Sequence, residues 1–249
     1  MRIVFEDNHL LLVDKPAGIP SQPDASGDPS LVDMAREWLR EKYAKPGRVY
    51  IALLHRLDRP VSGLVLFAKT DKAASRMGGV IRRREMEKYY LALVETRSDP
   101  GREARLVDFL QESESGMRVV KDLRPGAREA RLSYQTLAQA PGVNRALLQV
   151  RLETGVKHQI RAQLAWRGLT ILGDFRYGPQ GKTARPVRVA GGRAILLHAS
   201  GLGFTHPVAK SQLFFRSLPP GHWREFVEPW GGEALANLLP DSAGSEVGP

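Results

Sequence analysis

The stretch His55-Arg56-Leu57-Asp58-Arg59-Pro60-Val61-Ser62-Gly63-Leu64 sets a carboxylate, an imidazole and two guanidiniums side by side. An apolar lead, Ile51-Ala52-Leu53-Leu54, runs into it, and the apolar run Val65-Leu66-Phe67-Ala68 follows. Both flanks read as buried strands. Burying an unpaired charge is costly, so Asp58 must be paired or must open onto a cleft. Pro60 and Gly63 mark a turn. A carboxylate held on a rigid turn between Arg56 and Arg59 suits nucleophilic or proton-transfer chemistry. A structural ion pair at a strand end is the other reading of the same spacing. On an extended strand Arg56, two residues before Asp58, would share its face.

The elements that must position this stretch follow from patterning. Residues 2–5 and 10–13 read as strands, and Pro, Ser, Asp and Gly over 20–30 read as a loop. Ser30 begins a helix over about 31–43, with Asp33 completing a weak capping box and Leu31, Met34, Ala35, Trp38 and Leu39 as its apolar face. Strands are expected at 50–54 and 63–69 around Asp58, then a helix over about 72–84 capped by Asp71 and ending in Arg82-Arg83-Arg84. Those arginines are either a solvated face or a phosphate-binding edge. Further strands read at 88–95, 105–110, 117–121, 129–137 and 146–153, the last with alternating Leu148, Val150 and Leu152. Thr154-Gly155 breaks that strand, and a helix over about 157–167 follows with Ile160 and Leu164 on its core side. Its His158 and Arg161 are i,i+3 neighbours. Residues 173–193 read as a surface loop, 194–204 and 212–217 as strands, 222–227 as a short helix and 231–249 as a flexible tail. The class is α+β with a mostly antiparallel sheet.

The 249 residues are enough for a full core, as one large domain or two small ones, and a net charge of +10 favours a polyanionic partner, nucleic acid ahead of a membrane. With no Cys, disulfides and thiolate metal sites are excluded. No apolar run approaches the ~18 residues of a membrane helix. Glu6, Asp7 and a short run at Leu10–Val13 do not make a signal peptide, so a cytoplasmic location is expected. Other chemistries lack their equipment. Gly181-Lys182-Thr183 has Arg176 where a phosphate loop needs Gly, and Ser62 has Pro60 where a nucleophile elbow needs Gly. No His-x-x-x-His pair suggests zinc.

The stretch around Asp58 resembles the His-Arg-Leu-Asp-x-x-Thr-Ser-Gly motif of the RluA family of RNA pseudouridine synthases. Other matches follow in the family's order from about residue 5 to about residue 228. They are Lys15-Pro16-Ala17-Gly18, Lys88-Tyr89-Tyr90-Leu91-Ala92, Glu153-Thr154-Gly155-Val156-Lys157-His158-Gln159-Ile160-Arg161, Gly173-Asp174-Phe175-Arg176-Tyr177-Gly178 and Leu197-His198-Ala199. Val61 stands where the family usually has Thr, and Val156 where Arg is common. The resemblance implies the pseudouridine synthase fold, two subdomains around a central cleft. It implies a catalytic domain over 1–230 with no auxiliary S4-type RNA-binding domain in front, and a tail over 231–249.

Conversion of uridine to pseudouridine detaches the base, turns it and rejoins it through C5. No electrons or groups enter or leave, so no cofactor and no metal are expected. The reaction needs a carboxylate, a cation that keeps it ionised and oriented, a pocket for the loosened base and a way to extract the nucleotide from its stack. The resemblance implies Asp58 as the catalytic carboxylate, Arg161 as its ion-pair partner and Tyr90 on the base, with a part in removing the C5 proton. It implies Arg56 in the space left by the flipped nucleotide and Leu197 as an apolar wall. Arg59, Lys15, Lys88 and His158 complete the RNA-binding set, with Lys15 and Lys88 open as phosphate contacts or surface charges. The expected partner is ribosomal or transfer RNA, and the expected state is a monomer. The alternative is a non-catalytic RNA-binding or ribosome-assembly protein on the same fold. A carboxylate glycosidase would need a second acid, and no acidic partner block is evident. On this reading Asp58→Ala/Arg161→Ala regains part of the stability lost in Arg161→Ala.

Overall fold

Runs apolar at every position must be covered on both faces, and the chain has two that form neighbouring strands, Leu10–Val13 and Leu64–Ala68. The computed structural model describes residues 1–47, 49–97, 99–139, 144–178 and 186–227. In chain order these form β1 (Arg2–Glu6), β2 (Leu10–Lys15), α1 (Leu31–Lys42), β3 (Ala52–Leu53), β4 (Ser62–Ala68), α2 (Asp71–Arg82), β5 (Glu87–Thr96), β6 (Glu103–Ser113), β7 (Gly116–Val120), β8 (Ala127–Gln139) and β9 (Arg145–Leu152). Then come α3 (Gln159–Trp166), β10 (Leu169–Ile171), β11 (Val187–Val189), β12 (Gly192–Ala194), β13 (Leu197–Thr205), β14 (Gln212–Arg216), a 3-10 turn at Gly221–Trp223 and α4 (Arg224–Val227). The expected tail, 231–249, and Gly181-Lys182-Thr183 lie outside the described residues.

The main sheet runs β1-β2-β4-β13-β5-β9-β8-β6-β7, with β3 on β4, β10 on β5 and β14 on β13. Its pairings are antiparallel except β4 with β13, where Ser62 faces His198 and Gly63 faces Ala199. Period-two alternation sorts the side chains. Leu11 and Val13 of β2 and Val65 and Phe67 of β4 pack under Leu31, Ala35 and Leu39 of α1. Their neighbours Leu10, Leu12, Leu64 and Leu66 face the other way, under Ala73, Met77 and Val80 of α2. In β5, Tyr90, Ala92 and Val94 join the first layer, while Leu91 and Leu93 pack with Trp223 and Val227.

Most elements fall where the patterning places them, and the capping box at Ser30 and Asp33 is present. Four differ. The lead into Asp58 is extended only at β3, so His55–Pro60 is a loop and not part of a strand. The α2 cap is Thr70, whose hydroxyl accepts from Ala73 N–H, because Asp71 is already helical. Helix α3 starts at Gln159, since His158 is left-handed at φ 53°. The stretch 173–193 is not all surface loop: β11 and β12 form a hairpin and Asp174 is buried.

Two details hold the centre. Gly63 has φ +116°, and a Cβ there would stand 2.4 Å from the Ala199 carbonyl oxygen, so only glycine lets β4 enter beside β13. His198 is fully buried; its Nε2–H donates to the Ser217 carbonyl at 3.1 Å, so its Nδ1 accepts from the Ser62 hydroxyl at 2.9 Å. Burial pulls its pKa down to about 4, against the pull of nearby Asp14. The unfolded ring binds its proton near pH 6.5 and the folded ring does not. Stability contributed by the neutral ring is therefore complete above pH 6.5 and is lost as pH falls toward 4. We expect His198 to account for about 2 kcal/mol of the loss between pH 6.5 and 5, beside a share from His55, read as a falling urea midpoint. His198→Gln should flatten this slope, and an equal slope in both proteins would remove His198 as its source.

Candidate active site

Asp58 is fixed through the backbone on both sides. The Ser21 hydroxyl donates to the Leu57 carbonyl at 2.7 Å and accepts the Leu57 N–H at 3.1 Å. The Arg59 carbonyl accepts from Lys15 Nζ at 3.1 Å and from Gly18 N–H at 2.8 Å. Val61 N–H closes a turn on the Asp58 carbonyl at 3.0 Å. The loop's first residue, His55, accepts the Leu66 N–H on Nε2 at 3.1 Å, which ties it to β4. That bond needs a neutral ring, and burial, with Lys88 adding to it, pulls the His55 pKa down to about 3.

This geometry corrects two assignments. Lys15 is fully buried, and its ammonium also donates to the carbonyls of Pro16 and Ile19 at 3.1 and 2.8 Å. Burial draws its pKa down to about 7 while Asp58 opposes the shift. With no surface and its donors occupied, Lys15 braces the Asp58 loop and is not a phosphate contact. Arg59 donates to the Gly18 carbonyl and the Ser26 hydroxyl, both at 2.9 Å, and pairs with Asp28. It holds the loop over residues 18–28 and does not line the cleft.

The cation opposite Asp58 comes from α3. Between β9 and α3, Thr154 Oγ1 accepts Arg131 N–H at 2.8 Å. Gln159 accepts from Thr154 Oγ1 and Val156 N–H and donates to the Arg131 carbonyl at 3.0 Å. These bonds pin the turn to β8, and Gln163 ties the next turn to Asp108 and the Ala130 carbonyl. Every residue from Gln159 to Leu164 is buried, so α3 places Arg161 with little freedom.

Arg161 Nη1 donates to Asp58 Oδ2 at 2.8 Å. Its other edge forms a fork on Asp174, Nε to Oδ2 at 2.7 Å and Nη2 to Oδ1 at 3.0 Å. Asp174 also accepts the Arg176 and Tyr177 N–H groups and its side chain is 1% exposed, against 27% for Asp58. Burial opposes the Arg161 charge, but the two carboxylates outweigh it and push its pKa up. Patterning gave no role to Asp174. Its signal was available: a buried arginine with five donors needs more than one acceptor. His158 also reaches Asp58, Nε2 to Oδ2 at 3.6 Å.

Asp58, His158 and Arg161 line a cleft of about 500 Å³, with Asp174 behind them. Tyr90, Leu197, Val61 and Ile160 give it apolar walls. Burial first, and then Asp58, push the Tyr90 phenol well above its ordinary value, so it is neutral. Arg56, Arg82, Arg84, Lys88 and Arg128 are lining residues that carry no ion pair among the described residues. Arg83 does not line the cleft and forms a fork on Glu85 at 2.6 and 2.9 Å. Arg56 thus reaches the cleft from an exposed loop position, not from a shared strand face. Val61 is in the core and Val156 is on the wall, so both departures from the motif are apolar lining. Among the described residues no group of three or more His, Asp or Glu is placed to hold a metal, and no helix is long and apolar enough to cross a membrane.

A family model described as RNA pseudouridylate synthase matches residues 9–166. The ribosomal large subunit pseudouridine synthase D of Zymomonas mobilis is 32% identical over 226 residues, 88% of this chain and 69% of the relative. The dual-specificity RNA pseudouridine synthase RluA of Pasteurella multocida is 32% identical over 219 residues, 88% of this chain and 92% of the relative. The solved structure titled human RNA pseudouridylate synthase domain containing 4 superposes with a TM-score of 0.73 at 22% identity, covering 92% of each chain, which shows a shared fold.

The Asp174 fork changes the stability expected of Arg161 variants. Removing Arg161 leaves Asp174 buried and unpaired, at about 3–5 kcal/mol. Asp58→Ala leaves Arg161 still paired and the vacated site near water, at under about 1 kcal/mol. Asp58→Ala/Arg161→Ala should therefore regain little of the loss, whereas Arg161→Met/Asp174→Asn, which removes the buried charge and keeps an oxygen for the Arg176 and Tyr177 N–H groups, should regain most of it. Urea unfolding at neutral pH measures all four. If pairing the loss with Asp58→Ala restores stability, Asp58 and not Asp174 is the acid that Arg161 compensates.

Proposed function

The chain belongs to the RNA pseudouridylate synthase family, and we propose that Asp58 is its reacting carboxylate. It is an RNA pseudouridine synthase, an isomerase acting on uridine in RNA. One observation carries the assignment of Asp58: of the cleft carboxylates Asp58 and Glu153, it is the one gripped by a buried guanidinium whose other edge is anchored behind it, whereas Glu153 pairs with the exposed Arg105. A cation held in that way orients an anion without a reorganisation cost at the moment of reaction.

The remaining roles follow from position. Uridine loses its C1′–N1 bond, the uracil turns in the apolar space beside Tyr90 and Leu197, C1′ bonds to C5, and the C5 proton is replaced by one on N1. Tyr90 meets the base as a neutral phenol, kept so by burial first and by the nearby Asp58 carboxylate second. Arg56 at the mouth fills the gap left by the extracted nucleotide, where a planar guanidinium stacks on bases and bonds to phosphate. Arg82, Arg84, Lys88 and Arg128 carry the phosphates, because cations without acidic partners are those that release counterions on RNA. The substrate is structured RNA, ribosomal or transfer, bound by a monomer in the cytoplasm.

Asp58→Asn is expected to fold and bind RNA yet form no pseudouridine in a total-RNA or transcript assay; measurable turnover would exclude this carboxylate. Affinity should fall log-linearly with salt, and Arg82→Ala with Arg84→Ala should each flatten the slope by about one charge while Arg83→Ala leaves it alone. An effect of Arg83→Ala equal to the others would place the RNA path elsewhere. Arg56→Ala should impair structured RNA more than a short flexible strand, whose base needs less extraction. Equal loss on both would give Arg56 a ground-state role beside Asp58.

A further inference from the structure

Tyr177 lies three residues beyond Asp174 and stands behind His158, outside the cleft lining. Its hydroxyl oxygen accepts the Met117 N–H of β7 at 2.8 Å and stands 2.9 Å from His158 Nδ1. The two rings meet edge to face at 5.7 Å, and the Arg161 guanidinium lies over the tyrosine ring at 5.1 Å. The phenol has one hydrogen to donate, and Met117 already acts as donor toward its oxygen. If His158 also donated, from Nδ1, the half-buried phenolic hydrogen would have no acceptor among the described residues. Nδ1 therefore accepts, and the neutral ring carries its hydrogen on Nε2, the atom 3.6 Å from Asp58 Oδ2. The backbone agrees: His158 is left-handed at φ 53° at the start of α3 and makes no capping bond, so its ring is turned to these partners instead.

We propose that Tyr177 is a positioning residue which fixes His158 as the Nε2–H tautomer, so that the imidazole presents an uncharged donor to the Asp58 carboxylate. The inference rests on the role given to Asp58 above. Arg161 already supplies a full charge, and a second cation would stabilise the anion further and blunt it as a nucleophile. A neutral N–H orients the same oxygen at smaller cost to its reactivity. The 3.6 Å separation needs only a small shift to reach hydrogen-bond range, and catalytic contacts often tighten only with substrate bound. The groups facing His158 are Asp58, Arg161, Lys157, Arg176, Glu112 and Tyr177. Burial lowers its pKa first, Asp58 opposes, and the three cations add to the lowering, which keeps the ring neutral.

The test starts with the unaltered protein labelled with 15N in histidine. At neutral pH the His158 resonances should show a protonated Nε2 and a bare Nδ1; the Nδ1–H pattern or an imidazolium would overturn the proposal with no variant needed. Tyr177→Phe should bring in the other tautomer and lower kcat about tenfold with KM for RNA nearly unchanged. His158→Gln removes the ring whose tautomer is in question and sets the kcat baseline for the next variant. In that background Tyr177→Phe should cost no more than about twofold. An undiminished tenfold loss there would mean that Tyr177 acts through packing alone. The tautomer is read without turnover, so this failure is distinct from that of Asp58, which would show as activity in Asp58→Asn.

Discussion

The three-way contact of Asp174, Arg161 and Asp58 is the constraint on which the site depends. A guanidinium is a rigid plane with donors on two edges, and here each edge meets a different carboxylate. The inner acid is almost wholly buried and caps its own turn, so it fixes the plane; the outer acid meets what that plane leaves open. Lysine at 161 would keep the charge and lose this division, since a single ammonium cannot hold two carboxylates in set directions. The burial of α3 around Gln159–Leu164 and the bonds of Thr154 and Gln159 to Arg131 serve that placement.

Much of this was legible in residue order. The alternation in 146–153, the apolar runs at 10–13 and 63–68, and the capping box at Ser30 are local features, and local physics decides them. The pairing of Asp58 with Arg161, far apart in sequence, came from the resemblance, since spacing alone left a structural ion pair equally open. What escaped was what only tertiary placement settles. Lysine is usually solvated, and nothing in Lys15-Pro16-Ala17-Gly18 says that its ammonium will meet three inward carbonyls. Arg59 looked like a cleft residue because its neighbour in sequence is one, yet the turn at 58–61 sends it to the loop over residues 18–28. Asp174 lay in a stretch whose glycine and basic content resembles a surface loop.

The arginines at the end of α2 show how charge and partner separate. Arg82, Arg83 and Arg84 are adjacent and alike by composition. Glu85 takes one of them, and Arg84, left-handed at φ 59°, turns back toward the cleft with Arg82. A count of positive residues cannot distinguish these fates; the availability of an acid within reach does.

The clamp on the Asp58 loop has a consequence for the order of synthesis. Its backbone is held by Lys15, Gly18 and Ser21, while its carboxylate is held from positions 158 and 161, which are themselves held through 174 and 177. A nascent chain that has emerged only through β4 carries the carboxylate and its brace but not Arg161. Among the described residues the sheet joins the two sides of the site only through β13, which lies between β4 and β5, so Asp58 and Arg161 can meet only once the chain through Thr205 has left the ribosome.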